Sequence, residues 1–194
     1  TRGPAALCTE LVAGDGPVAL LASRGASKLV RAGDGTVGWT RARLGPWVEG
    51  RDMADPTWPE RHAPWVLSHA LRRMLGAPYR LGGTTSRGVD CSGLVQRCMR
   101  ALGVVLPRHS TDQLALGAAP VRLLGEPGDL VFLWGGGESA CHVGVVLRGE
   151  RPADRTLVHA SSRRGRVVEE PLADALSRAA CVRHLELEQV LAQR

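Results

Sequence analysis

One thiol and two imidazoles are the residues of this chain best placed for covalent chemistry. Cys91 lies in the string GVDCSGLVQRC, between the polar Asp90 and Ser92, with Gly88 and Gly93 close by. The apolar spacing that follows (Leu94, Val95, Cys98, Met99, Leu102) predicts a buried helix ending at Gly103, with Cys91 in its first turn. A helix start presents unsatisfied N–H groups and the positive end of the peptide dipoles, and both favour thiolate over thiol. The competing reading makes Cys91 a small buried hydrophobe. A nucleophilic sulfur also needs a base, most often a histidine that a third polar group orients. His142 opens the run HVGVVL, where alternation sends His142, Gly144 and Val146 one way and packs Val143, Val145 and Leu147 into the core. Gly144 then leaves space for a substrate backbone beside the imidazole. His159 lies in TLVHAS, beyond the hairpin-like GERPADR, so antiparallel pairing would bring its ring to His142 and complete a Cys91–His142–His159 set. The plainer reading of His159 is a hydrogen-bonded sheet histidine. His62, His69, His109 and His184 read as polar surface, and Cys141 as structural.

The elements that must hold these groups follow from the pattern around them. Strand-like runs broken by glycine turns fill the first fifty residues: AALCTELVAG, PVALLAS and SKLVRAGDGTVGWTRARL, with a tight turn at Gly33–Gly35. They predict a small barrel or meander. Pro46 to Pro64 is rich in Pro, Trp, Asp and Arg and reads as a linker or strap. From Pro64 the period turns helical, Leu67, Leu71, Met74 and Leu75 sharing a face and Gly76 stopping the run. A third helix is expected from Ser110, which has capping-box spacing to Gln113. After the EPGD turn at Glu126–Asp129 come DLVFLW, HVGVVL, TLVHAS, RVVEEP and CVRHLEL, strands of an antiparallel sheet. Helices first and strands afterwards predict an α+β domain with segregated layers.

Composition narrows the function classes. The chain has 194 residues, 44% of them hydrophobic, enough for a real core. No stretch approaches the roughly 18 uninterrupted apolar residues of a membrane span. No secretory-type start is visible, and both the cell envelope and the cytoplasm stay open. The net charge of +6 is carried by dispersed arginines, with no basic run interleaved with aromatics, so no nucleic-acid partner is expected. The five cysteines are an odd number with no CxxC, which leaves at least one free thiol and argues against a zinc site.

The string LGAPYRLGGTTSRGVDCSGLVQRCMRALGVVLPRHSTDQLALG, followed in order by EPGDLVFLW, HVGVVL and VHASS, resembles the NlpC-type cell-wall cysteine peptidases over residues 64–185. The resemblance implies a papain-like α+β domain over 64–194, behind a linker at 51–63. The implied reaction is hydrolysis of peptidoglycan stem peptides, commonly at the γ-D-glutamyl to diaminopimelate or lysine bond, with no metal and no cofactor. Carried over position by position, Cys91 matches the nucleophile, His142 the base and His159 the third polar residue. Tyr79 matches a tyrosine bordering the site, and Asp90 and Ser92 match groups that bind a substrate amine. Asp90 also reads as a helix cap. Two departures are Leu81, where an aromatic is frequent, and His109, where an acid is. Residues 1–50, through DGTVGW, resemble a bacterial SH3-like barrel. There Thr36 stands where relatives place a tyrosine, and Asp15 aligns loosely with its acidic partner. Three other readings remain at this point: a non-catalytic wall-binding protein, a metal site of Cys91, His142 and His159, and an amidase or acyl transferase using the same triad.

Overall fold

The structure, a computed structural model, describes residues 18–32, 36–44, 63–120, 125–135, 141–147, 149 and 151–192. The AALCTELVAG run, Asp15, the Gly33–Gly35 turn, His62 and the strap up to residue 62 lie outside the described residues. At the N-terminal end β1 (Ala19–Arg24), β2 (Ser27–Arg31) and β3 (Val37–Thr40) form a three-stranded antiparallel meander in the order β1-β2-β3.

The remainder is α+β. Helix α1 (Ala63–Arg72) is followed by the short pair β4 (Thr84–Thr85) and β5 (Gly88–Val89), then by α2 (Cys91–Met99) and α3 (Ser110–Leu114). The six-stranded sheet is built from β6 (Ala119–Pro120), β7 (Leu130–Trp134), β8 (His142–Leu147), β9 (Thr156–Ser161), β10 (Arg166–Pro171) and β11 (Cys181–Leu185). Its order is β10-β9-β8-β7-β11-β6, every recorded pairing antiparallel. Helices α4 (Leu172–Arg178) and α5 (Leu187–Leu191) flank β11 in sequence. Among the described residues no helix is long and apolar enough to cross a membrane.

The two faces of the sheet are both covered, and this decides where the histidines go. Val143 and Val145 of β8, with Val158 and Ala160 of β9, pack against Leu94, Val95 and Met99 of α2 and Leu67 and Leu71 of α1. The alternate residues Val146 and Leu157 pack with Val131 and Leu133 against Leu172 and Ala175 of α4. Strict alternation therefore puts His142 and His159 on the α4 face. The expected order of helices before strands is broken here, because α4 lies between β10 and β11 in sequence and closes the second face of the sheet.

Three local expectations also change. Leu75 is 39% exposed, because the helix ends at Arg72 and the chain turns through Gly76, φ +79°, before Leu75 can join the buried stripe of Leu67, Leu71 and Met74. Ser110 opens α3 as its first helical residue and caps nothing; its hydroxyl donates to the Cys141 carbonyl at 2.6 Å. Gly144 makes room for β9, not for a substrate. A Cβ there would lie 2.9 Å from Leu157 Cδ1 and 3.0 Å from His159 Cβ.

Alanine normally stabilises a strand interior relative to glycine by about 0.5–1 kcal/mol. At this position the sign should reverse: Gly144→Ala overpacks the β8–β9 contact and should cost about 1–3 kcal/mol in urea unfolding. An unchanged or raised midpoint would show that Leu157 and His159 yield freely.

Candidate active site

Helix α2 starts where it does because Asp90 caps it. In extended conformation (φ −98°, ψ 178°), its Oδ1 accepts the Gly93 N–H at 2.8 Å, satisfying one of the orphan donors of the first turn. Oδ2 accepts the Gly82 N–H at 2.7 Å. The Arg108 guanidinium grips both oxygens, at 2.9 and 2.7 Å, and also donates to the Gly83 carbonyl and to Ser92 Oγ. This ion pair is buried, the side chains 2% and 7% exposed. Gly93 is required beside it: a Cβ would sit 2.3 Å from the Gly83 carbonyl oxygen.

Those bonds decide what Asp90 and Ser92 can do. Both oxygens of Asp90 are committed within the protein, and the Ser92 hydroxyl lies between Asp90 and Arg108, donating to the former at 3.4 Å. Asp90 is thus the cap of α2, and together the two residues pin the one between them; a contact of this pair with a substrate amine belongs with the proposed function. Gln113, fully buried on α3, adds a donated bond to the Ser92 carbonyl at 3.2 Å. Tyr79 is half-buried against the same core. Its strand segment is bonded to Val89, directly before Asp90, through Arg80 N–H to Val89 O and Val89 N–H to Pro78 O, both at 3.0 Å.

Cys91, so held, is 8% exposed. The backbone N–H groups of Ser92 and Val143 act on its sulfur, and both favour the anion. The second is the important one, because Val143 directly follows His142. The β8–β9 register runs from Leu147↔Thr156 to Val145↔Val158 and stops. His142–Gly144 lie beyond it, and there the start of α2 reaches the strand. Desolvation works against the expected thiolate. Burial, then the neighbouring charge of Asp90, push the thiol up to about 11 against the two backbone bonds that lower it. A helix start alone does not outweigh desolvation of the anion.

The two histidines do meet. His142 Nε2 and His159 Nδ1 are 2.7 Å apart, the rings edge to face at 81° with centroids 4.8 Å apart. Since these nitrogens are bonded to each other, they do not converge on a metal, and no metal-binding group is found among the described residues. Behind them stands a residue that the sequence reading passed over. Glu170 of β10 places Oε1 2.9 Å from His159 Nε2, and accepts from Arg178 of α4 at 2.6 Å and from Arg164 at 3.3 Å. The available signal was the EE pair in RVVEEP: on a strand, only one of two adjacent glutamates can face solvent. Arg108 was missed as well, since nothing local ties it to Asp90.

Comparison with known proteins follows this geometry. Residues 76–186 match the model of the NlpC/P60 family. The chain is 39% identical over 101 residues to a probable endopeptidase NlpC of Escherichia coli K12, covering 51% of this chain and 62% of that one. It is also 39% identical over 94 residues to the murein DD-endopeptidase MepS/murein LD-carboxypeptidase of the same organism, covering 48% and 47%. Both matches thus span less than two thirds of the relative. Among solved structures, it resembles an NlpC/P60 family protein from Bacillus cereus, with TM-score 0.51 and 25% identity over 85% of this chain and 52% of that one. The peptidoglycan hydrolase RipB from Mycobacterium tuberculosis gives TM-score 0.51 and 28% identity over 71% and 74%.

Two measurements test the site as built. Arg108→Ala strands a buried carboxylate and should cost about 3–5 kcal/mol of stability by denaturant unfolding; a loss below about 1 kcal/mol would show that Asp90 does not need its partner. In the substrate-free protein, iodoacetamide should label Cys91 slowly at pH 7 and ever faster as pH climbs toward 11. A rate already at its plateau near pH 7 would contradict the neutral thiol.

Proposed function

Because the chain belongs to the NlpC/P60 family, we propose that it is a cysteine endopeptidase acting on peptidoglycan stem peptides. The papain-like fold, the γ-D-glutamyl to diaminopimelate or lysine bond as target, and the roles of Cys91, His142 and His159 are parts of the same proposal. Its support is the names of the relatives and one observation in particular. An imidazole pair bonded at 2.7 Å stands beside Val143, the strand residue whose N–H favours the anion of Cys91 at the start of α2.

The chemistry runs from a neutral resting thiol. As Cys91 Sγ attacks the scissile carbonyl, its proton passes to His142, so the sulfur is never a desolvated anion without a counter-charge. The carbonyl oxygen becomes an oxyanion, for which backbone N–H groups at the start of α2 are the natural donors, a type of contact worth about 3 to 4 kcal/mol per donor. The C–N bond then breaks. His142 gives its proton to the departing amine, leaving an acyl-enzyme on Cys91. Water, deprotonated by the same imidazole, attacks the thioester and releases the acid, and the thiol recovers its proton. His159 fixes the orientation of His142 throughout. No step asks for a metal or a cofactor.

We read the meander β1–β3 as part of the SH3-like barrel, serving substrate or wall binding. A second cleavage position has its own support. The relative named murein DD-endopeptidase and LD-carboxypeptidase points to bonds around D-alanine instead.

Mass spectrometry of products from defined stem peptides separates these. Release of a fragment ending in D-glutamate is expected from the wild type, and Cys91→Ala should abolish turnover with its folded spectrum intact. Loss of D-alanine alone would move the site to the second bond class. Turnover retained in Cys91→Ala would sink the nucleophile assignment.

A further inference from the structure

The geometry points to Glu170 as the positioning residue that decides which nitrogen of His142 carries the proton, and so makes that imidazole a base toward Cys91. This rests on the nucleophile and base reading above and deepens it. The argument is one of donors and acceptors along a line of three side chains from three adjacent strands.

An ionised carboxylate can only accept. Glu170 is 6% exposed, and burial alone would raise it. Its bonds to Arg178 and His159 instead hold it below the usual carboxylate range, so it is ionised at neutral pH. Oε1 lies 2.9 Å from His159 Nε2, and that nitrogen must therefore present an N–H. In a neutral imidazole the other ring nitrogen is then an acceptor. His159 Nδ1, 2.7 Å from His142 Nε2, accepts from it. His142 consequently keeps its proton on Nε2, and its basic lone pair is on Nδ1. The opposite arrangement would set the His159 Nε2 lone pair against a carboxylate oxygen in a buried site. Glu170 acts through His159 and touches no reacting atom.

The surrounding charges tune the same device. Facing the imidazole pair are Glu170 from β10, Arg178 from α4, and Arg163 and Arg164 from the β9–β10 turn; these four also border a cavity or the carboxylate itself beside both rings. Cys91, at the start of α2, is acted on by the N–H of Val143, the residue after His142. The carboxylate favours an imidazolium when His142 takes a proton. The arginines oppose it. Register accounts for the placement. Val168 stands opposite His159 and Glu170 opposite Leu157, which sets Glu170 diagonal to His159 on the same face of the sheet.

The test begins with the wild-type full chain labelled with 15N-histidine. Long-range 1H–15N spectra at pH 7 should show both His142 and His159 protonated at Nε2; a proton on His142 Nδ1 would overturn the proposal outright. In Glu170→Ala the acceptor is gone, and the tautomers should redistribute while kcat falls about 10- to 100-fold, by analogy with removal of the partner that orients a metal-ligating histidine. Glu170→Gln retains an acceptor oxygen and should keep more of the activity. With the anion lost and Arg178 and Arg164 remaining, the acid limb of its kcat/KM profile should move to lower pH. Folded variants with unchanged tautomers and an unmoved acid limb would leave Glu170 a structural residue only. If the wild type cleaves no stem peptide, the spectra still decide the tautomer question, so failure of the hydrolase reading and failure of this one are distinguishable.

Discussion

Where β8 and β9 part company, the backbone N–H of Val143 meets the sulfur of Cys91. Much of the molecule serves that meeting. A sheet edge freed in mid-strand must give its polar groups a partner, and the start of α2 supplies one. The helix in turn needs its first residue held to a fraction of an ångström, and the buried Asp90–Arg108 pair with the Gly82 and Gly93 N–H groups does so. The cap is a mechanical part of the site: loosening it moves the sulfur relative to a strand on which His142 is the preceding residue.

Burying a nucleophile in this way has an electrostatic consequence. The helix start and two N–H bonds favour the anion, yet desolvation and the adjacent Asp90 carboxylate outweigh them. An ion pair of thiolate and imidazolium at rest would have to survive in an apolar cluster whose side chains offer no compensation beyond the two backbone N–H groups. In the proposed chemistry, delaying charge separation until a carbonyl carbon is present avoids that cost, because the negative charge would then move to an oxygen facing backbone donors while the positive charge would spread into the His142–His159 pair. So proposed, the site relies on a base already set in the correct tautomer, more than on an acidic cysteine.

What could be read from the sequence was what is encoded locally. The stripe Leu94, Val95, Cys98, Met99, Leu102 is a helix period and is buried as such. HVGVVL and TLVHAS are strand periods, and consecutive antiparallel strands are neighbours, so the His142–His159 contact followed from order alone. Residues joined by long-range geometry were not legible. Arg108 reaches Asp90 across 18 positions, and Glu170 reaches His159 only once β10 is in register. Ser110 carried a capping signal that lost to a tertiary acceptor, the Cys141 carbonyl. Gly144 was noticed for the right reason, lack of a side chain, but the occupant of the vacated space is β9 and not a ligand.

Covering the second face of the sheet with α4 is what makes the imidazole pair more than two adjacent polar side chains. On a solvated face, water could donate to or accept from any ring nitrogen, and the tautomers of His142 and His159 would interconvert at little cost. Both rings are buried here, 1% and 3% exposed, and each bonded nitrogen faces a partner of fixed character. Only the last member of the row, a carboxylate, has no freedom to switch between donor and acceptor. Arg178, donated by the helix that seals the face, keeps that carboxylate charged at 2.6 Å. The same element therefore excludes water and supplies the counter-charge that burial demands. A strand-terminal histidine gains directionality from the packing of α4, which begins 30 positions later in sequence, at Leu172 against His142.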